Sequence, residues 1–219
     1  MTGTELDRVT RAQLRTLESR SGEWVAKHLV MAGRLIDDEP ELAFQHALAA
    51  SRRGGRLAAV REAVGLTAYA AGKYDEALRE FRTYRRISGS NVHLPLMADC
   101  ERGLGRPEKA IDIGSSDEAK ELDAAGTVEL AMVVAGAHLD QGDPKAALAA
   151  LQVRGLDKNR AFSFSPRLFD VYADALDADG QTAEAASWRA QALVAERALR
   201  GDEEDEEPEI LDLAPEDEE

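Results

Sequence analysis

Few residues in this chain could do chemistry, and none stands in a reactive pattern. The four histidines, His28, His46, His93 and His138, are widely separated. No two hold the i, i+4 spacing by which one helix presents a pair of metal ligands. Cys100 lies between Asp99 and Glu101, whose charges disfavour the nucleophilic thiolate. The stretch from Gly65 to Lys73 superficially suggests a phosphate loop. Its two glycines are too far apart for that motif, and no Ser or Thr follows the lysine. Gly103-Leu104-Gly105 lacks both a third glycine and a preceding strand. Acidic pairs are plentiful, as on any charged helical surface, and carry no catalytic signal. The expectation is a protein that is not an enzyme, with no cofactor, no metal and no small-molecule substrate.

Composition narrows the class further. Of 219 residues, 44% are hydrophobic, enough for a core, and the formal net charge is −15. That charge is concentrated at one end, because Asp202 to Glu219 holds 12 of the 42 acidic residues and no base. The first 201 residues keep 30 acids against 27 bases, so the body of the chain is nearly neutral and offers no general nucleic-acid affinity. No run approaches the roughly 20 apolar residues of a spanning helix. Met1 to Thr10 lacks the apolar stretch of an export signal. With a single cysteine excluding a disulfide scaffold, a cytoplasmic location is expected.

The elements that position everything else are repeats. A break at Gly72-Lys73 between two Ala-rich amphipathic stretches recurs at Gly105-Arg106-Pro107, Gly142-Asp143-Pro144 and Gly180-Gln181-Thr182. Five residues beyond each glycine is an alanine: Ala77, Ala110, Ala147 and Ala185. Ala43 fits as an earlier member, with Asp38 in the glycine's place, and the alanines are spaced 34, 33, 37 and 38 residues apart. Small residues where paired helices cross are supplied by Gly65, Ala98, Ala135 and Ala173. Large residues four places beyond the alanine are supplied by Phe81 and Leu151, while Ala47, Gly114 and Arg189 depart from that pattern. No window alternates as a strand would.

This helix–turn–helix period resembles the tetratricopeptide repeat (TPR), and the chain resembles TPR proteins of high-GC bacteria. The resemblance implies an all-α solenoid of about five repeats, centred near 22-55, 56-90, 91-123, 127-160 and 165-200. A covering helix within 1-21 is expected from Leu6, Val9, Leu14 and Leu17 on one face of Thr4 to Arg20. The acidic residues 201-219 are expected to be disordered. Ser165-Pro166 and Asp143-Pro144 each read as a capping side chain before a proline at the first helical position.

The family's groove positions can be laid on this chain. They fall on Val25, His28, Leu29 and Ala32 in the first repeat, on Leu66 and Tyr69 in the second and on Asp99 and Arg102 in the third. In the fifth they fall on Asp170, Asp174 and Asp177. The resemblance thus implies a partner groove running from apolar to acidic, suited to an amphipathic helix with a basic end. The lysines and asparagines of a chaperone-type carboxylate clamp are replaced by His28, Ala32, Glu62 and Leu66, so that ligand is not expected. The alternative is a covering N-terminal helix that leaves no open groove.

Two further surfaces compete with the groove. Between Arg52 and Arg86 there are nine basic residues against four acidic, among them Arg52, Arg53, Arg56, Arg79, Arg82 and Arg86. This patch could serve RNA, an acidic protein or the chain's own tail. The absence of interleaved aromatics favours protein over nucleic acid. In the tail, Ile210, Leu211 and Leu213 stand between acids and two prolines, as a docking motif for a partner or for this protein itself would. A non-catalytic protein-interaction scaffold is the function these features imply. An RNA- or ribosome-associated accessory role and an autoregulated binder are the alternatives.

Overall fold

The computed structural model describes residues 3–200, and over these the chain is all-helical with no strand. The helices are α1 (Arg8–Leu14), α2 (Ser19–Leu35), α3 (Pro40–Gly54), α4 (Ala58–Ala70), α5 (Tyr74–Ser88) and α6 (Leu94–Gly103). They continue with α7 (Pro107–Gly114), α8 (Ala124–Asp140), α9 (Pro144–Ala150), α10 (Ser165–Ala178) and α11 (Thr182–Arg200), and a 3₁₀ turn (Glu118–Glu121) precedes α8.

Packing follows chain order. The helices associate as the hairpins α2–α3, α4–α5, α6–α7, α8–α9 and α10–α11, and each hairpin packs on the next. The apolar interior is therefore strung along the stack as four adjoining clusters. Four of the hairpins turn the corner in one way. Gly72, Gly105, Gly142 and Gly180 take φ of +69°, +71°, +76° and +82°, a region that penalises any Cβ. At each, the following residue's N–H reaches back to the helix's last turn: Lys73 to Ala68, Arg106 to Glu101, Asp143 to His138 and Gln181 to Leu176. The first hairpin has Asp38 at this place and no positive φ, and Glu39 continues the helical bonding to Leu35 instead.

Just beyond each turn stands the periodic alanine. Ala43, Ala77, Ala110, Ala147 and Ala185 are all completely buried, as are the crossing residues Ala98, Ala135 and Ala173. At Gly65 a Cβ would lie 2.7 Å from the ring of Phe81, which is itself fully buried. The two helices meet at that distance because one of them lacks a side chain there.

Local expectations are corrected at two places. The N-terminal helix is short, and α2 begins at Ser19. Leu6, Leu14 and Leu17 pack on the first cluster, but Val9 is 67% exposed because the seven-residue α1 cannot keep it on the same face. Ser165 does not cap α10; it is the first helical residue, and its buried hydroxyl accepts from the N–H of Phe162. Asp143 does cap α9, accepting from Ala146 N–H at 3.0 Å. Phe162 and Phe164 stack at 5.2 Å, with Phe164 against the core. No described helix is long and apolar enough to cross a membrane.

Candidate functional site: one face of the first helices

The first helices of the hairpins, α2, α4, α6, α8 and α10, share a face that holds two depressions of different character. The N-terminal one, ≈ 190 Å³, lies between α2 and α4. Leu29, Ala32, Gly33 and Ile36 form one wall and Ala59, Glu62, Ala63 and Leu66 the other, with Leu6 and Thr10 at its edge. The segment preceding α2 thus borders the depression without filling it. Its lining is apolar apart from Thr10, Thr67 and Glu62, whose carboxylate accepts from His93 Nε2 at 2.7 Å.

The second depression, ≈ 470 Å³, spans four helices, from Tyr69 through Leu96, Asp99 and Arg102 to Met132, Val133, Arg167 and Val171. Its polar groups are tied to one another. The Tyr69 hydroxyl donates to Asp99 Oδ2 at 2.6 Å, and Arg102 donates to Asp99 at 2.9 Å and to Asp140 at 2.8 Å. Arg167 pairs with Glu129 at 2.7 Å. Burial, then the bond to Asp99, raises the Tyr69 hydroxyl above its ordinary range. Burial opposes the charge on Arg102, but Asp140 and Asp99 outweigh it and hold the guanidinium above its usual value. Both shifts lead away from the physiological pH range, Tyr69 staying a neutral phenol and Arg102 a cation, so the network clamps helices rather than poising a proton.

At the C-terminal end Arg189 of α11 donates to Asp174 and Asp177 of α10. Asp170 stands one helical turn before Asp174 on α10. Burial and Asp174 lift its carboxyl above the ordinary value, against the lowering by Arg189.

Other sequence candidates fall elsewhere. Val25 is fully buried among Leu14, Ala50 and Val60 and is core, because α1 and its flanks cover it. His28 turns toward α3, with its Nδ1 2.9 Å from Nδ1 of His46, beside Trp24 and under the influence of Arg53. The arginine-rich surface is committed to ion pairs in part. Arg79 pairs with Glu76, and Arg82 with the buried Glu101, which Arg106 also holds at 2.6 Å. Arg61 and Arg85, in the same stretch, pair with Glu80 and Glu118. Arg53 lies 4.7 Å over the ring of Trp24. Arg52, Arg56 and Arg86 are exposed. Ile210, Leu211 and Leu213 lie outside the described residues.

Several residues of this face were not singled out by the sequence, Glu129, Met132, Val133 and Asp140, whereas Arg167 falls at the first groove position of the fifth repeat. A signal for them exists. Counting from Ala147 as from the other periodic alanines, the same register in the fourth hairpin falls on Glu129, Met132, Val133 and Asp140. No family model matches the chain, and no curated protein matches it either.

Proposed function

We propose that the chain is a TPR-type solenoid acting as a non-catalytic cytoplasmic adaptor, which holds a protein partner on the face of its first helices. The observation that supports this reading most directly is register. The positions Tyr69, Leu96, Asp99, Arg102, Met132, Val133 and Val171, drawn from four helices whose registers are 33, 37 and 38 residues apart in sequence, line one depression. The partner that suits the face is an amphipathic helix. Its apolar side chains would enter the N-terminal depression at Leu29, Ile36 and Leu66, and its basic end would lie toward Asp170. Nucleic acid is the poorer fit, because Arg61, Arg79, Arg82 and Arg85 are engaged with Glu80, Glu76, Glu101 and Glu118, which leaves Arg52, Arg53, Arg56 and Arg86 of that stretch to meet phosphates.

The test is affinity capture of the tagged full chain from its native cytosol, with and without nuclease, run beside two variants. Leu66→Glu puts a charge in the apolar depression, and Arg56→Glu reverses a charge on the arginine surface. The expected outcome is a protein partner that survives nuclease and Arg56→Glu but binds about tenfold or more weakly to Leu66→Glu, a loss of about 1.4 kcal/mol. A partner lost to nuclease, or to Arg56→Glu alone, would move the interaction off this face.

A further inference from the structure

The last helix leaves one side without a packing partner among the described residues. α10 and the loop before it cover α11 through Ala185, Trp188, Ala192 and Ala195, and Lys158 reaches Ser187 and the ring of Trp188. The opposite side carries Ala183, Ala186, Ala190, Leu193, Val194 and Arg197, all exposed. Leu193 and Val194 are 57% and 52% exposed, and Arg197 is the one charge on this strip, at its C-terminal end. At the helical rise the strip is about 21 Å long. It is an apolar helix face with room for a helix or an extended segment to lie along it.

What should cover it is attached to it. The chain continues past Arg200 into Asp202–Glu207, then Ile210, Leu211 and Leu213, which acids flank on both sides. Ten residues of chain span at most about 33 Å, whereas Ala190 to Val194 lies only about 9–15 Å back along α11. The segment therefore reaches the strip with slack, and closing so short a loop costs little while giving a high effective concentration. Charge agrees as well. With Arg189 held by Asp174 and Asp177 and Arg200 paired with Glu196, residues 152–164 and α11 still carry Arg154, Lys158, Arg160 and Arg197 against Asp157 and Glu184. This is a local excess of base in a body whose balance is slightly acidic. On the arginine surface of α3 to α5, the other basic feature, Arg61, Lys73, Arg79, Arg82 and Arg85 pair with carboxylates, and Arg52, Arg56 and Arg86 are the exposed alternative that the test below distinguishes.

We infer that the Ile210–Leu213 segment docks in cis on the outer face of α11. Its leucines and isoleucine cover Ala190, Leu193 and Val194, and its acidic flanks meet Arg197, Arg200 and the basic loop. The segment closes the exposed apolar end of the stack, and it is also the part of the chain that a competing ligand or a modification would displace. The inference does not rest on the groove reading.

The full chain tests it. Cys100 is completely buried, and burial followed by Asp99 and Glu101 pushes its thiol up to about 12. It therefore stays unlabelled in the native protein, and a nitroxide on Ala214→Cys reports one position. The expected result is loss of the amide signals of Ala190, Leu193 and Val194 by paramagnetic broadening, equally at low and high protein concentration. Those signals return in Leu193→Ser/Val194→Ser, whose exposed sites tolerate the change, and in Ile210→Ser/Leu211→Ser/Leu213→Ser. A thermal melt confirms that both variants fold. Broadening confined to the last turn of α11 would overturn the inference. So would broadening on the trough helices or around Arg52, Arg56 and Arg86. Broadening that grows with concentration would assign the strip to a second copy of the chain instead.

Discussion

The two depressions on the shared face differ in what holds their walls. The N-terminal one is walled by apolar side chains that sit over the clusters containing Leu29, Ala32 and Val64, and Phe81 closes that core beneath α4. The central one is walled by charges that bind each other, from Tyr69 through Asp99 and Arg102 to Asp140, with Glu129 and Arg167 alongside. An apolar wall leaves its contact surface free for a partner. A wall of mutually satisfied charges has already used its hydrogen bonds, and a ligand must break them to gain its own. On the proposed reading a partner would anchor at the N-terminal end of the face, while the central charges hold four helices in register.

The sharpest test of this contrast is in the core. Phe81→Ala removes the ring that fills the gap beside Gly65, and should cost about 3–5 kcal/mol in urea unfolding. The central network should be cheaper. Arg102→Met leaves Asp99 and Asp140 without their shared partner, for an expected loss of about 1–2 kcal/mol, since Arg102 is partly solvated. A double-mutant cycle with Asp140→Asn should show coupling of about 0.5–1 kcal/mol. If Arg102→Met proved as damaging as Phe81→Ala, the central trough would be a buried polar core, and the division between the two regions would fail.

Glycines sharpen the comparison with opposite signs. Gly33 lines the N-terminal depression in an ordinary helical conformation, and a Cβ there meets nothing within 4 Å. Gly33→Ala should therefore stabilise by about 0.5–1 kcal/mol through backbone entropy. Gly72 has equally open surroundings but φ of +69°. Gly72→Ala should destabilise by about 1–2 kcal/mol for conformational reasons alone. Chemical denaturation of the pair reads both signs, and equal effects would mean that space rather than backbone angle decides these positions.

How much of this was legible depended on whether a feature is periodic. The alanines at 43, 77, 110, 147 and 185 announce close helix crossings because only small residues fit there, and all five are buried. The same register marks most of the central lining, since positions one repeat apart in the first helices face the same way. Pairings were not legible. Arg102 finds Asp140 38 residues later and His28 finds His46 18 residues later, across helices whose relative rotation no single-helix pattern fixes. For the same reason a basic count between Arg52 and Arg86 could not tell that Arg61, Arg79, Arg82 and Arg85 each face a carboxylate. Val9 and Val25 were misplaced for a different reason. The short α1 and its flanking turns set which residues the N-terminal end covers, and that end has no repeat to imitate.

The smallest expected effect concerns acid sensitivity of the N-terminal hairpin. Burial, then His46 and Arg53, lowers the His28 imidazole below its ordinary value, so the folded state prefers it neutral. An unfolded histidine takes a proton near pH 6.5. As pH falls below that point the unfolded state binds a proton that the native state refuses, and stability declines until the native His28 is itself protonated. The stabilisation is thus present above about pH 6.5 and lost on acidification. His28→Gln removes the titrating group, and the Tm of the wild type should fall more steeply than that of the variant between neutral pH and pH ~5.5. The hydrogen-bonded network of Tyr69, Asp99, Arg102 and Asp140 includes no histidine among its members. Amide exchange at mildly acidic pH should therefore accelerate in α2 and α3 while α6 and α8 keep their protection. Parallel pH slopes for wild type and variant would show that the His28–His46 contact carries no differential proton affinity.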